Sequence, residues 1–490
     1  MNLISTHFVK EITMPAVLNQ PKGARDNTWA SAAHRRTVYL ILVIVGCAIL
    51  FDGYDLVIYG AVLSTLLEDP SHIGPLSPAV AGSLGSYAMI GVLIGALSSG
   101  AVGDRLGRRK VFIVALIWFS VGMIVTALAT SVFMFGLLRF ITGLGVGVIV
   151  AMGGAIIAEF APANRKNFFN AIVYSGVPAG GVMASVLALL LEDQIGWRGL
   201  FMIGGAPLVF LLPLALVALP ESPRWLVSRG ELDKARQVCE KYGLPVEQFA
   251  TAPASPARPA ADTVAPHTNP DVKKTGFAGI FSRSFLPGTI LIGFMSFIGL
   301  LATYGLNTWL PKIMQSNGAS QHDSLYSLLA LNGGAVIGGL FASWVADRIG
   351  AKTVITVTFA LAAVMLALLP QFDTVAPMYI PIMLAGLGVL GTQVLTYGLT
   401  ANYFSTASRA AGVAWCAGFG RLGGIVGPLA GGLILSANLG PAYAFYIFAG
   451  ATALGAILTA MIPRSPAEAE VVVSTDPVEQ PKDKKPVGAA

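Results

Sequence analysis

The sequence predicts an all-α membrane protein with twelve transmembrane helices arranged as two six-helix repeats. Composition predicts the class: 55% of the 490 residues are hydrophobic and 11% are charged, whereas an average soluble domain has about 45–50% apolar and about 25% charged residues. A duplicated motif predicts the repeat, because Gly100–Arg109 is echoed by Ser343–Lys352. Duplicated halves are typical of transporters that bind their substrate between the halves.

Apolar windows of about 20 residues, long enough to cross a bilayer, recur along nearly the whole chain. The twelve predicted spans are 37–62, 79–102, 110–129, 132–157, 168–190, 199–219, 286–310, 323–346, 352–370, 376–399, 409–436 and 442–462. They divide the chain into an N-terminal segment (1–36), a six-helix half (37–219), a central loop (220–285), a second half (286–462) and a tail (463–490). The Pro/Ala-rich stretch 252–270 and the tail cannot bury a core, so we expect both to be disordered.

The distribution of charge indicates topology and excludes other classes. The net charge is +6, and the cations lie in short loops between spans, which favours membrane insertion over nucleic-acid binding. The loops after spans 2, 4, 8 and 10 carry most of them, so we expect both termini and the central loop in the cytoplasm. The three cysteines are far apart, and no histidine has metal-ligand spacing, so we expect no disulfide framework, metal or cofactor.

Two aspartates, Asp52 and Asp55, lie inside the first predicted span. An ionised carboxylate in hydrocarbon is so costly that it is expected to face a cavity and to have a partner or a proton. Asp55 and Arg139, in span 4, each lie seven residues from the outer ends of their spans. These helices run in opposite directions, so the two side chains are expected at similar depth, as an ion pair that substrate or a proton could break.

A second arginine, Arg421, lies twelve residues into span 11, about 18 Å from its cytoplasmic end and near the bilayer centre. Neither membrane arginine is repeated in the other half, because the repeat offset places Val177 opposite Arg421 and Met383 opposite Arg139. A guanidinium offers a planar fork that fits a carboxylate, and an aromatic carboxylate also brings a ring that can stack nearby. The candidate stacking partners are Tyr304, Trp309, Tyr397 and Trp415.

Several loops together resemble those of the major facilitator superfamily over residues 30 to 465. They are Gly100–Arg109 with its weaker second copy, the segment Glu159–Arg165 and the loop Pro220–Arg224. The second copy departs from the family pattern, because Ser343 replaces the leading glycine and Lys352 is its one trailing cation. The resemblance implies the major facilitator fold and a cytoplasmic latch that holds the halves together while the site faces outward. The latch residues it implies are Asp104, Arg105, Arg108, Glu159, Arg165, Asp347 and Arg409.

Within the superfamily, three motifs are similar to those of the aromatic acid:proton symporters: Phe51–Leu56 in span 1, Asn307–Pro311 in span 7 and Gly420–Ile425 in span 11. The run Asp52–Gly60 most resembles the benzoate branch. This resemblance implies import of benzoate or a hydroxybenzoate with protons, by a monomer in the bacterial inner membrane, through rocking of the two halves. Asp52 and Asp55 would bind or relay the proton, with Arg139 as the switchable partner of Asp55.

Arg421 has no acidic partner of its own on span 11, so we expect it to bind the substrate carboxylate, and the resemblance implies that Asn307 belongs to the substrate site. A carboxylate that enters beside a buried aspartate is repelled unless the aspartate carries a proton, and this couples the two cargoes.

Other interpretations stay open from the sequence. The two aspartates could be helix-packing or capping residues, and Arg139 could belong to a fixed structural ion pair. Arg421 could extend its side chain towards water without contacting substrate, and the aromatic residues could be anchors at the membrane interface. A facilitative sugar porter would share the Pro220–Arg224 loop but would not need paired membrane aspartates. A transporter-like sensor of aromatic acids would bind its ligand without accumulating it. We do not expect an enzyme, since the sequence has no nucleophile-base pair, phosphate loop or metal cluster.

Overall fold

The computed structural model describes residues 31–162, 166–246, 275–437 and 439–466, and within these ranges every regular element is a helix. The α-helices are α1 (Ala32–Glu68), α2 (Pro78–Leu106), α3 (Arg108–Ala127), α4 (Val132–Phe160), α5 (Lys166–Tyr174), α6 (Gly176–Ile203), α7 (Pro207–Ala218), α8 (Pro223–Ser228), α9 (Leu232–Tyr242), α10 (Gly276–Ile280), α11 (Leu286–Ser316), α12 (Gln321–Ile349), α13 (Ala351–Leu368), α14 (Tyr379–Gly386), α15 (Gln393–Tyr403), α16 (Arg409–Ser436) and α17 (Pro441–Met461). A π-helical turn, Leu387–Gly391, precedes α15. The predicted all-α membrane class is confirmed.

Eleven helical stretches in the described ranges are long and apolar enough to cross a membrane. Ten of them match single predicted spans, and the other, Phe168–Ala218, has 51 residues. At about 1.5 Å per residue that length exceeds twice the roughly 30 Å thickness of the hydrocarbon core. Gly196 interrupts α6 with a φ of 63°, a left-handed conformation that favours glycine, between the predicted fifth and sixth spans. The stretch can therefore hold two crossings, and the total of twelve stays a prediction.

Glycines with left-handed backbone explain the repeated loop motif. Gly107 ends α2 and begins α3 with a φ of 93°, and Gly350 ends α12 and begins α13 with a φ of 90°. A side chain at such a φ is strained, so glycine is the residue that allows the tight reversal between the two helices. The same backbone conformation thus recurs in both copies of the motif.

The two halves meet where glycines let helices approach closely. A Cβ atom added to Gly60 of α1 would collide with the main-chain oxygen of Asn307 in α11, and one added to Gly82 of α2 would lie 2.6 Å from the main-chain oxygen of Pro428 in α16. A Cβ atom on Gly181 of α6 would collide with a side chain of α12. Small residues at helix contacts are a general device for packing helices in membranes.

The side-chain bonds between the halves concentrate towards one end of the bundle. We call it the closed end and define it by Thr65, Glu68, Glu192, Lys312 and Gln321. Lys312 Nζ lies 2.8 Å from Glu68 Oε1, and Gln321 Nε2 lies 3.1 Å from Glu192 Oε1.

Two further contacts cross between the halves. The Ser86 hydroxyl donates to the Ile425 carbonyl at 2.6 Å in the half of the bundle nearer the closed end, and His322 faces Asp193 at 3.8 Å. The opposite end, which we call the basic end, carries Arg105, Arg108, Arg348 and Arg409. Among the described residues, no side-chain hydrogen bond or ion pair joins the halves there.

Candidate functional site

The predicted pair of Asp55 on α1 and Arg139 on α4 is present in the structure. Both side chains are buried, and an Nη1 nitrogen of Arg139 contacts Asp55 Oδ1 as an ion pair. The guanidinium carbon lies 5.2 Å from the ring centre of Tyr59 and 5.9 Å from that of Phe201, within the range of cation–π attraction. The Nε nitrogen of Arg139 is buried without a hydrogen-bond partner in the described part of the chain. The pair is therefore enclosed, and its role stays a prediction.

Tyrosines on either side of Asp55 fix α1 against its neighbours. The Tyr54 hydroxyl donates to the Leu200 carbonyl at 2.7 Å, and the Tyr59 hydroxyl donates to the Ala81 carbonyl at 2.6 Å. Because both acceptors belong to the main chain, these bonds hold α1 to α6 and to α2 at the depth of Asp55.

The other predicted charges, Asp52 and Arg421, belong to opposite halves and interact electrostatically. The two half-buried side chains attract each other electrostatically, and Asp52 also feels the repulsion of Asp55. Within the ranges that the structure describes, neither makes a side-chain hydrogen bond or an ion pair. The Arg421 guanidinium is therefore within the electrostatic reach of a carboxylate without being joined to it, which leaves its N–H donors open to a ligand.

Three tyrosines lie within the electrostatic influence of Arg421. The sequence predicts two of them, Tyr304 of α11 and Tyr397 of α15, and the structure places both within the electrostatic influence of the guanidinium. The third is Tyr174 at the end of α5, which interacts with Asp52 and with Arg421. Its hydroxyl donates to the Val150 carbonyl at 3.2 Å.

Sequence reasoning missed Tyr174, although a signal was available. Tyr174 is a polar aromatic residue in an apolar span, three positions before Val177, the residue that the repeat offset places opposite Arg421.

The remaining predicted ligands serve packing in this conformation. Trp309 is fully buried, and its indole N–H donates to the Pro428 carbonyl at 2.7 Å. Asn307 is also fully buried, donating to the Thr303 carbonyl at 2.9 Å and accepting from Asn332 at 2.9 Å.

The indole N–H of Trp415 donates to the Thr289 carbonyl at 2.8 Å, and its ring stacks on Phe419 at 5.0 Å. A contact of Asn307, Trp309 or Trp415 with substrate stays a prediction.

Of the predicted latch residues, Arg108 and Glu159 interact, and they do so within one half. Arg108 Nη1 lies 2.5 Å from Glu159 Oε2, and the Ser222 hydroxyl donates to Glu159 Oε1 at 2.5 Å. Arg165 lies outside the described residues. In the described chain the other latch residues are exposed and form no ion pair: Asp104, Arg105, Asp347 and Arg409. A latch between the halves is thus not formed by the described residues in a bundle that is closed at the opposite end.

Comparison of the sequence with known protein families identifies the family of this chain. The family described as "Sugar (and other) transporter" matches residues 40–463. This chain belongs to that family. It is therefore a member of the major facilitator superfamily, as its loops predict, and a multi-pass membrane transporter rather than an enzyme.

Several relatives whose names state a substrate align with most of this chain. It is 33% identical to the benzoate transport protein of Acinetobacter baylyi, over 89% of this chain and 91% of that protein. It is 33% identical to the gentisate transporter of Corynebacterium glutamicum, over 85% of each chain. The 4-hydroxybenzoate transporter PcaK of Acinetobacter baylyi is 30% identical over 82% of this chain and 86% of that protein.

Among solved structures, a D-xylose-proton symporter matches with a TM-score of 0.66 over 88% of this chain and 99% of that one. The sequence identity between these two is 19%, so this likeness shows the fold.

The transporter therefore holds two separate charge systems between its helices. Asp55 and Arg139 form an enclosed pair inside one half, where rings cover the guanidinium. Asp52 and Arg421 belong to different halves and interact electrostatically, with no hydrogen bond or ion pair between them in the described part of the chain. The first system is an ion pair and is neutral as a unit, whereas the second offers a basic and an acidic side chain that are not paired with each other.

Proposed function

We propose that this transporter imports a small aromatic carboxylate, benzoate or a hydroxybenzoate, together with protons across the bacterial inner membrane. The observation that carries the proposal is the unpaired Arg421 guanidinium, which lies mid-way along α16 beside three tyrosines and opposite Asp52. A desolvated guanidinium without a carboxylate partner is a strong site for a bidentate anion. The printed names of the relatives, which include benzoate, gentisate and 4-hydroxybenzoate transporters, support an aromatic acid as that anion.

The substrate is held by its two ends in this proposal. Its carboxylate pairs with both arms of the Arg421 fork, and its ring lies among Tyr174, Tyr304 and Tyr397. Tyr174 belongs to one half and the other two belong to the second half, so a bound ring touches both. Binding across the gap favours approach of the two halves, which alternating access requires.

Asp52 supplies the proton coupling. The substrate anion takes over the attraction of Arg421, so an ionised Asp52 would then face two anions, the substrate and Asp55. A proton on Asp52 removes that repulsion, and substrate and proton are therefore bound together. The Asp55–Arg139 ion pair is the second part of the proton-coupling mechanism. It breaks when Asp55 takes up a proton or when a rearrangement of α1 releases Arg139.

The orientation follows from the distribution of basic residues. Cytoplasmic loops are enriched in lysine and arginine, so the basic end faces the cytoplasm together with both termini and the closed end faces outward. The structure then corresponds to a state that is open to the cytoplasm. The latch residues at the basic end join the halves in the opposite state, and one chain is sufficient for the cycle.

Uptake of labelled benzoate into proteoliposomes tests the proposal, with an inward proton gradient imposed or collapsed. We expect the gradient to drive accumulation by the wild type. Arg421→Ala is expected to raise the benzoate KM at least about 10-fold, because the loss of even one of the two charge-assisted bonds would have that effect. Asp52→Asn is expected to retain exchange of benzoate across the membrane but to lose accumulation. Arg283→Ala removes an exposed cation from the end of the central loop, just before the second half, and serves as the control.

Each alternative has its own outcome. Uptake by the wild type that ignores the gradient contradicts symport, and an unchanged benzoate KM in Arg421→Ala contradicts the carboxylate site. Transport of D-xylose in place of benzoate identifies a sugar porter. Binding of benzoate without accumulation identifies a sensor.

A further inference from the structure

The closed end contains a buried carboxylate that the proposed mechanism does not use. Glu192 of α6 is 7% exposed and lies where the two halves meet. Its Oε1 oxygen accepts hydrogen bonds from the Thr65 hydroxyl of α1 at 2.8 Å and from Gln321 Nε2 of α12 at 3.1 Å. Gln321 belongs to the other half, so the Glu192 side chain bridges the contact between the halves. The sequence shows that Glu192 lies at the end of an apolar span, but it does not indicate which residues Glu192 contacts.

The two oxygens of Glu192 have unequal surroundings. Oε1 accepts both hydrogen bonds, whereas Oε2 is buried without a partner among the described residues. An ionised carboxylate spreads its charge over both oxygens, and a buried charged oxygen without a donor is costly. The neutral acid costs less in these surroundings than the ion, because Oε1 then accepts both donors as the carbonyl oxygen and Oε2 carries a proton in place of a share of the negative charge. The closed arrangement therefore fits the protonated form.

Other charged groups at the closed end act from more exposed positions. The nearest are Asp193, next to Glu192 on α6, and His322 of α12, which face each other at 3.8 Å with side chains 75% and 54% exposed. Glu68 of α1 pairs with Lys312 of α11 at 2.8 Å, with side chains 63% and 25% exposed. Water screens these pairs, so their contribution to closure is small compared with that of a buried group.

We propose that Glu192 is a proton-binding site of the gate at the closed end. It takes up a proton when Gln321 closes over it and releases that proton when the halves separate and water reaches the carboxylate. The ligand is a proton from the compartment that the closed end faces. The proposal rests on the proposed function, because it assigns part of the proton coupling to Glu192 in addition to Asp52.

Distances across the closed end test this assignment without any substrate. Spin labels on Ser71→Cys and Ser316→Cys, in a background where Cys47, Cys239 and Cys416 are alanine, report on the two halves of the full chain in lipid. Both label sites are exposed. We expect one short distance at about pH 5 and a growing longer distance towards about pH 9, because deprotonation of a buried acid opens the contact.

Glu192→Gln is the deciding variant, because glutamine imitates the protonated acid in shape and charge. We expect it to keep the short distance at high pH and to lose more than half of the pH-dependent change. Asp193→Asn and His322→Gln are the matched controls, and we expect both to keep the wild-type response. An unchanged pH response in Glu192→Gln, or a wild-type distance that ignores pH, overturns the proposal.

A second variant keeps the test decisive if Glu192→Gln does not fold. Gln321→Leu removes the donor from the other half, and we expect the longer distance to be populated even at low pH. An unchanged distance distribution in Gln321→Leu counts against the gate. Because no benzoate is present in these measurements, failure of the proposed uptake activity and failure of the gate are separate results.

Discussion

The Asp55 carboxylate and the Arg139 guanidinium form an ion pair between α1 and α4, and both are shielded from water. The rings of Tyr59 and Phe201 lie close to the guanidinium. In such surroundings the pair is neutral as a unit, whereas either member alone is a buried charge. Breaking a buried pair by removing one partner is more damaging than replacing both.

A double-mutant cycle follows from this pairing. We expect Asp55→Asn and Arg139→Gln each to lower the free energy of unfolding by about 3–5 kcal/mol, and the double variant to recover most of that loss. Unfolding in detergent, followed with temperature or denaturant, measures the coupling. Asp69→Asn is the control, because Asp69 is an exposed acid just beyond α1. Additive losses would contradict a direct pair.

Transport by the double variant then distinguishes a switch from a fixed structural pair. A switch predicts a stable double variant that does not accumulate benzoate, because the group that responds to the proton is gone. A structural pair predicts recovery of both stability and uptake.

Gly60 offers a test of closure. An added Cβ atom collides with the Asn307 carbonyl across the contact between the halves, whereas one added to Gly46 on the same helix meets nothing within 4 Å. We therefore expect Gly60→Ala to hold the closed end apart and to abolish net uptake, and Gly46→Ala to transport at the wild-type rate. Cysteines at Ser71 and Ser316 measure the separation directly. Equal uptake by the two variants would show that this contact is not needed for transport.

Tyr174 is expected to contribute to substrate affinity through its hydroxyl. Tyr174→Phe keeps the ring and removes the group that lies in the field of Asp52 and Arg421. The hydroxyl donates to the Val150 carbonyl and so fixes the ring, and we expect the loss of this neutral hydrogen bond to weaken binding by about 2–10-fold. Equilibrium binding of labelled benzoate measures the change, and Tyr443→Phe, an exposed position, is the control. If both variants bind alike, Tyr174 does not belong to the site.

Depth along each helix was predictable, because the rise per residue is constant. Counting residues from the ends of spans 1 and 4 predicted that Asp55 and Arg139 meet, and counting along span 11 predicted an arginine near mid-depth. Composition was equally informative about the membrane class. These quantities depend on one helix at a time.

The face that each side chain occupies was much harder to predict. A membrane helix is apolar towards lipid and towards its neighbours, so hydrophobic periodicity carries little information about orientation. The sequence did not indicate, for example, that the indole of Trp309 is bonded to the Pro428 carbonyl of α16 in this conformation. Tyr174 and Glu192 were missed for the same reason, since their importance depends on groups from the other half. The sequence also leaves open which end of the bundle is closed, so it could not predict that the described latch residues stay apart.

Three of the contacts between the halves involve main-chain oxygens. The Ser86 hydroxyl bonds the Ile425 carbonyl, and Gly60 and Gly82 lie against the carbonyls of Asn307 and Pro428. A carbonyl oxygen stays in place when its own side chain is exchanged. The side chains that contact the substrate can therefore differ among relatives while the contacts between the two halves are kept. The same conformational change can then transport different aromatic acids.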